Sequence, residues 1–266
     1  MVIDFHMHIF PGQVAVKAVP VIAATGDITP VTDGTAEDTK SKMRLWGIDR
    51  GVFLNIATKP KQTPVINDWA MTFVNDGMLI PFGTVHPEYG DKLGQLSLLY
   101  KGGVKGIKIH PDYQDVYADD DCLDEVYDFA ESAGMLVLFH AGVDLGYPNL
   151  TRGTPERIGT VAKRFPRLKI VAAHYGGYKM WDRAADAYAG VPNIWLDTSF
   201  AAGKIPEGIP EKLINAFGAE RFLFASDCPW ECPAESLKAL MALKISGAEK
   251  ERIAGLNAAE LLRIEN

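Results

Sequence analysis

Two histidines stand two residues apart near the start of the chain, in the apolar run IDFHMHIF. In a β-strand, residues i and i+2 face the same side and lie roughly 6.6 Å apart. Asp4, His6 and His8 therefore share one face of a strand, and the apolar residues between them take the other. Two imidazoles aimed in the same direction are suited to holding one metal ion together.

Other ionisable side chains occupy the same position at the ends of apolar runs. All six histidines and one aspartate do so: His6, His8, His86, His110, His140, His174 and Asp227. Neutral imidazole and carboxylate are good zinc ligands, and three or four of them leave a position for water. The alternative, that each histidine is a hydrogen-bonded core or loop residue, does not explain their shared position. The set therefore predicts a divalent metal site.

The elements that must position these residues are eight short runs rich in Val, Ile, Leu and Phe. They read VIDFHMHIF, GVFLNIA, LIPFGTVH, VKGIKIH, MLVLFHAG, KIVAAHYGG, NIWLDTSF and RFLFASDCPW. Helix-like segments separate most of them, and this alternation indicates parallel strands joined by crossover helices. Eight such units predict an α/β protein with a (β/α)8 TIM barrel, and a doubly wound open sheet is the alternative. The carboxyl ends of barrel strands meet at one mouth, where active sites of this fold lie.

Two stretches depart from the alternation. Residues 11–34, with several Pro and Gly, are expected to form a long first βα loop, and residues 248–264 add helix after the eighth unit. The sequence shows no repeat, low-complexity tract or long linker. A single domain over residues 1–266 is therefore predicted.

Composition narrows the classes of partner. The 266 residues are 47% hydrophobic and carry a net charge of −7. An acidic surface repels phosphate backbones and anionic lipids, which disfavours nucleic acid and membranes and leaves a small molecule as the expected partner. The start of the chain lacks the basic segment of a cleaved signal, and three cysteines are too few for a disulfide framework. A cytoplasmic protein is predicted.

Five motifs resemble the amidohydrolase superfamily. They are DFHMH, GIKIHPDYQ, LFHAG, AAHYGG and FASDCPW, and the tail GLNAAELLRI resembles the closing helix of the family. Within the superfamily, the chain is most similar to the amidohydrolase-related branch that includes aminocarboxymuconate-semialdehyde decarboxylase and many metal-dependent hydrolases. The resemblance spans essentially the whole chain. An HxH pair is specific when a matching strand-eight aspartate accompanies it, whereas either one alone is a weak signal.

This resemblance implies a ligand set and a catalytic residue. His6, His8, His140 and Asp227 would surround one metal, commonly zinc, and His174 would act beside it as base or electrophile. Lys108 stands where binuclear members carry a carboxylated lysine that bridges two metals. The favoured interpretation is an ordinary lysine that holds a substrate carboxylate. TatD-type nucleases share the HxH pair but place a glutamate near the end of strand four, where this chain has lysine.

The favoured function is hydrolysis of an amide, lactone or ester of a small carboxylated molecule by a metal-activated water. Asp227 and His174 would share the acid–base work. The alternative is a metal-dependent decarboxylase of an unsaturated or aromatic acid, which needs the same ligands. A barrel that binds without turnover is the third hypothesis, and the intact set of ligands argues against it.

Further residues that follow the ligand-bearing strands are predicted to contact the substrate. Together they would supply an aromatic wall and a cationic anchor, although each could instead be a packing residue. They are Lys108, His110, Tyr113, Tyr147, Arg152, Tyr175, Tyr178 and Trp230. Dimers are usual in the branch, so a homodimer is expected, but no surface patch in the sequence indicates one.

Overall fold

The computed structural model describes residues 1–264. Its strands are β1 (Ile3–Met7), β2 (Arg50–Leu54), β3 (Leu79–Thr84), β4 (Gly106–Ile109), β5 (Leu136–Phe139), β6 (Lys169–Ala172), β7 (Ile194–Asp197) and β8 (Phe222–Leu223). They form one eight-stranded sheet in chain order, with parallel pairing. Phe5 N donates to Phe224 O over 2.8 Å and so links the first strand to the end of the last. The predicted (β/α)8 TIM barrel is confirmed, and the doubly wound alternative is wrong.

Every strand is followed by at least one helix. Residues 1–264 contain α1 (Gly12–Gly26), α2 (Ala36–Trp46), α3 (Gln62–Met71), α4 (Lys92–Lys101), α5 (Asp124–Ala133), α6 (Pro155–Arg164), α7 (Trp181–Ala187), α8 (Ile209–Phe217), α9 (Pro233–Ala242), α10 (Gly247–Glu251) and α11 (Asn257–Leu262). The helical tail predicted after the eighth unit is present as α10, a π-helical turn at Arg252–Leu256, and α11.

The segment predicted as a long first loop is largely helical. It contains α1, which has Pro20 inside it and buries Ala15, Val19 and Ala23. These three residues recur every four positions, which places them on one face of a helix. The Pro and Gly content of the segment obscured this short apolar stripe.

Local signals in the sequence explain where other helices begin and end. The Thr35 side chain accepts a hydrogen bond from Asp38 N at the start of α2, and Gly47 ends that helix with a φ of 71°. A hydroxyl at the N-cap and a glycine in the left-handed region are the preferred residues at these two positions. In α6, Pro155 occupies the first turn, and Ile158 and Val161 turn one apolar face inward.

The chain groups into two compact units. The first unit consists of Met1–Phe53, Gly77–Ile80 and Asp197–Asn266, and the second of Leu54–Asp76 and Pro81–Leu196. Each has its own fully buried aromatic core, with Phe5, Phe222 and Phe224 in the first unit and Phe82, Tyr127 and Phe139 in the second. The single domain over residues 1–266 stays a prediction, and its residues 265 and 266 lie outside the described residues.

No helix within residues 1–264 combines the length and the apolar character needed to cross a bilayer.

Asn193 closes the turn between α6 and β6, and its replacement is expected to destabilise the second unit. Its Nδ2 donates to the carbonyl oxygens of Ala162, Phe165 and Leu168 over 3.1, 3.0 and 2.9 Å. Asn193→Ala leaves these acceptors without that donor, so the free energy of unfolding should fall by about 1–3 kcal/mol. Urea unfolding measures the change. The exposed Asn149→Ala is the control, with an expected change within about 0.5 kcal/mol. Equal losses in both variants would contradict the role of Asn193.

Candidate active site

His6 of β1 and His8, which directly follows that strand, meet an aspartate that follows β8. His6 Nε2 lies 3.4 Å from Asp227 Oδ1, and His8 Nε2 lies 3.1 Å from the same oxygen. All three residues are buried. The first unit thus brings together three of the four predicted metal ligands.

Backbone hydrogen bonds fix this group. Asp227 N donates to His6 O over 2.8 Å, and His8 N donates to Cys228 O over 2.6 Å. Asp227 also has a φ of 73°, in the left-handed region. A non-glycine residue held there costs of order 1–3 kcal/mol, and such residues cluster at functional sites. The turn after β8 is therefore constrained to present the carboxylate to β1.

Asp197, the last residue of β7, is a site residue that sequence reasoning missed. Its Oδ2 lies 2.8 Å from His6 Nδ1, and the residue is fully buried. Ser199 donates from its backbone N and from its hydroxyl to Asp197 Oδ1. A signal was present, because NIWLDTSF places an aspartate at a strand end, as FASD does. The histidine pattern does not extend to this carboxylate, so no role was predicted for it.

Asp4 shares the face of β1 with the two histidines, but its contacts are structural. It accepts from Ser226 N over 3.0 Å, from the Ser226 hydroxyl, and from His6 N over 3.1 Å. Burial raises the pKa of Asp4 to about 7, although the hydrogen bonds from Ser226 and His6 oppose the rise. This residue ties the turn after β8 to β1.

The second unit holds another group of histidines. His140, which follows β5, places its Nδ1 3.1 Å from His174 Nε2. Its ring stacks on that of His110, with centroids 4.1 Å apart and planes 11° apart. Asp144 Oδ2 lies 3.3 Å from His110 Nε2 and 3.9 Å from His140 Nε2. Of the predicted site residues, the second unit thus joins His110, His140 and His174.

His140 has the properties of a neutral ligand. Burial lowers its pKa well below the ordinary value of a histidine, and the charges of His110 and His174 lower it further. Its Nε2 is buried and has no hydrogen-bond partner among residues 1–264. A neutral imidazole with an available lone pair is the form that coordinates metals.

Lys108 lies in β4 and is 1% exposed. Its carbonyl accepts from the Thr84 hydroxyl over 3.1 Å. The positive charge of an unmodified Lys108 would contribute to the low pKa of His140. The choice between a plain amine and a carboxylated lysine stays a prediction.

The other predicted substrate contacts are distributed over both units. In the second unit, Tyr113 packs edge to face on His110 and on Tyr147, with centroids 4.6 and 5.2 Å apart. Arg152, predicted as a cationic anchor, forms an ion pair with Asp115. Tyr175 is buried and has a φ of 55°. The ring centroid of Tyr178 lies 6.5 Å from that of His174. Trp230 belongs to the first unit, and its backbone N donates to Asp227 O.

Asp112, two residues after His110, is expected to make stability depend on pH. Burial, aided by the Asp144 carboxylate, raises the pKa of Asp112 to about 6, although a hydrogen bond from Arg152 N opposes the rise. The folded protein therefore binds this proton more tightly than the unfolded chain, so stability should fall as pH rises from about 4 to about 6.

Asp112→Asn should flatten that fall in a pH series of urea unfolding curves. Asp128→Asn, on the exposed side of α5, is the matched control and should leave the slope in place. An unchanged slope in Asp112→Asn would refute the role of Asp112.

The first unit's group fits a divalent cation. His6, His8 and Asp227 offer one ligand atom each, and these atoms lie within 4.8 Å of one another. Two nitrogens and one oxygen are a donor set that zinc and other divalent transition metals accept. Asp197 behind His6 supplies the carboxylate that usually orients a metal-bound imidazole.

Comparison with known proteins agrees with this geometry. The amidohydrolase family profile matches residues 3–264. By sequence, no curated protein matches the chain.

Three solved structures share the fold. An uncharacterised TIM-barrel protein from Bordetella bronchiseptica is 21% identical with a TM-score of 0.82, over 99% of this chain and 98% of that one. 2,6-Dihydroxybenzoate decarboxylase from Rhizobium is 15% identical with a TM-score of 0.74, over 100% and 99%. 5-Carboxyvanillate decarboxylase from Novosphingobium aromaticivorans, solved with bound manganese, is 14% identical with a TM-score of 0.70, over 99% and 97%. The family profile covers nearly the whole chain, so this protein belongs to the amidohydrolase family and is a metal-dependent enzyme.

Proposed function

We propose that the protein is a metal-dependent decarboxylase of a small aromatic or unsaturated carboxylic acid. One observation carries the proposal: the rings of His110, Tyr113 and Tyr147 form an edge-to-face series next to the paired histidines His140 and His174. Aromatic rings favour stacked or edge-to-face contacts with another ring. The series therefore suits a flat substrate beside a pair of groups able to transfer a proton. Two relatives of the same fold are decarboxylases of substituted benzoates by name.

The cation would be held by His6, His8 and Asp227, with His140 as the fourth ligand that the family resemblance implies. We propose one zinc ion on the chemistry of these donors, and manganese is the main alternative because one relative binds it. A divalent ion bound there lowers the pKa of water towards 7 and polarises substrate oxygens.

The proton steps would fall to this chain's own residues. Decarboxylation needs a proton at the ring carbon that carries the carboxylate. The carbon–carbon bond then breaks, its electron pair stays on the ring, and CO₂ departs. We assign the delivery of this proton to His174, and His140, when it ligates through Nε2, would orient His174 by donating from Nδ1 to His174 Nε2. His174 would then regain its proton from solvent, and Asp227, which also ligates, would share this acid–base work.

Substrate recognition is proposed for Lys108 and the aromatic residues. Lys108 would hold a substrate carboxylate, and Tyr113, Tyr175 and Trp230 would flank the ring. Burial, together with the Asp144 carboxylate, raises the pKa of Tyr113 to about 12, so its hydroxyl stays a hydrogen-bond donor at neutral pH. His110 would position this tyrosine. Arg152 would contribute only if it exchanged Asp115 for a substrate carboxylate.

Hydrolysis is the second candidate, and the buried Lys108 favours it. A carboxylated lysine at this strand end would add a second cation and direct the chemistry toward attack of water on an amide, lactone or ester. A metal count of two per chain, together with a carbamate detected on Lys108 by mass spectrometry, would support this alternative.

The test incubates protein loaded with Zn²⁺ or Mn²⁺ with hydroxybenzoates, unsaturated diacids, lactones and amides in D₂O. Decarboxylation releases CO₂ and leaves one deuterium on the vacated carbon, which mass spectrometry detects. Hydrolysis releases no CO₂ and adds the elements of water. Turnover of lactones or amides alone would overturn the decarboxylase proposal.

A further inference from the structure

Asp197 forms a hydrogen bond with one of the two ring nitrogens of His6. Its Oδ2 lies 2.8 Å from Nδ1, while Nε2 faces Asp227 Oδ1 at 3.4 Å. Asp197 is fully buried, and His6 is 1% exposed. The contact is therefore shielded from water. In such a buried environment, a hydrogen bond to an ionised group is stronger than at a surface.

The chemistry of a carboxylate fixes the tautomer of this ring. An ionised aspartate accepts hydrogen bonds and donates none, so the proton of a neutral His6 must sit on Nδ1. Nε2 is then left with its lone pair, directed to the side where His8 and Asp227 converge. In the other tautomer, the same nitrogen would carry a proton and could not coordinate a cation.

Ser199 holds the carboxylate in the required orientation. Its backbone N donates to Asp197 Oδ1 over 3.1 Å, and its hydroxyl donates to the same oxygen. The serine is fully buried and lies two residues further along the chain. With Oδ1 engaged in this way, Oδ2 is the oxygen that faces the imidazole.

We propose that Asp197 is a positioning residue that sets the affinity of the first unit's site for its divalent cation. It acts through His6 by selecting the tautomer and by fixing the ring. Ser199 orients Asp197, and its Oγ also lies 3.2 Å from His6 Nδ1. This inference rests on the metal site in the proposed function, and it holds for a decarboxylase and for a hydrolase.

The test compares Zn²⁺ affinity in the metal-free wild type and in Asp197→Asn by competition with a chromophoric chelator. Loss of such a partner typically costs 10–100-fold in metal affinity, so we expect the dissociation constant to rise at least about tenfold. An asparagine can turn its NH₂ toward Nδ1, so the His6 tautomer should also change. Long-range ¹H–¹⁵N correlation spectra of the metal-free proteins report that tautomer directly.

Two variants separate positioning from general stability. Thr198→Val removes the bonds of the adjacent buried hydroxyl with Ala225 N and O; it should lower the melting temperature without changing Zn²⁺ affinity or the tautomer. Ser199→Ala keeps the carboxylate and should weaken Zn²⁺ binding by a smaller factor, and it serves as the test if Asp197→Asn does not fold.

The outcomes are distinct. Wild-type affinity together with the wild-type tautomer in Asp197→Asn would overturn the inference, as would equal affinity losses in Asp197→Asn and Thr198→Val. A wild type that binds no Zn²⁺ or Mn²⁺ would overturn the metal site itself, and with it the proposed function.

Discussion

Asp227→Ala is expected to lose bound metal and turnover together. The Asp227 carboxylate is the one charged donor that faces both His6 Nε2 and His8 Nε2 in the first unit's metal-binding group. Without it, two neutral imidazoles must hold a dication with no charge compensation. A metal ion supplies several kcal/mol of transition-state stabilisation, and each ~1.4 kcal/mol is a factor of ten in rate. Turnover should therefore fall by at least about 10³-fold.

Plasma mass spectrometry after dialysis measures the metal, and the same samples give the rate. His8→Ala should behave like Asp227→Ala, since it removes a nitrogen directed at the same oxygen. Asp128→Ala, which removes an exposed carboxylate from α5, is the control and should keep metal and rate. Full metal content in both site variants would exclude Asp227 and His8 as ligands.

The fold followed from periodicity, and so did part of the site. A period of two along β1 places His6 and His8 on one face whatever the rest of the chain does. The alternation of apolar runs with helical segments then required parallel strands, whose carboxyl ends meet. For this reason the approach of Asp227 to β1 could be predicted from the sequence, although β8 is only two residues long.

The parts that were missed depend on information that periodicity does not carry. Asp197 lies at a strand end like the other site residues. The sequence pattern does not indicate that its partner is Nδ1 of His6. Backbone strain is also hidden, because His174 and Asp227 have φ values of 61° and 73°, where glycine would be expected. In α1, the apolar stripe has only three residues, and Pro20 lies among them. The proline favoured the prediction of a loop over that of a helix.

The second large effect is expected for His174→Ala, which should keep its bound metal but lose most of its turnover. His174 Nε2 contacts His140 Nδ1 at 3.1 Å, so it touches a proposed ligand without being assigned as one. His174→Ala should retain the metal, although removal of an outer partner can weaken affinity by about tenfold. The rate should fall by about 10²–10⁴-fold, the usual contribution of a positioned acid–base group.

His174→Asn provides the matched variant, because asparagine tolerates the left-handed backbone that this position requires better than alanine does. If both variants keep the metal and lose the rate, the loss arises from the missing imidazole and not from backbone strain. If alanine alone loses activity, the backbone explains the effect and His174 has no acid–base role. Loss of the metal from both variants would instead make His174 a ligand. A binuclear site would then become the better description, and Lys108 would be the residue to examine for carboxylation.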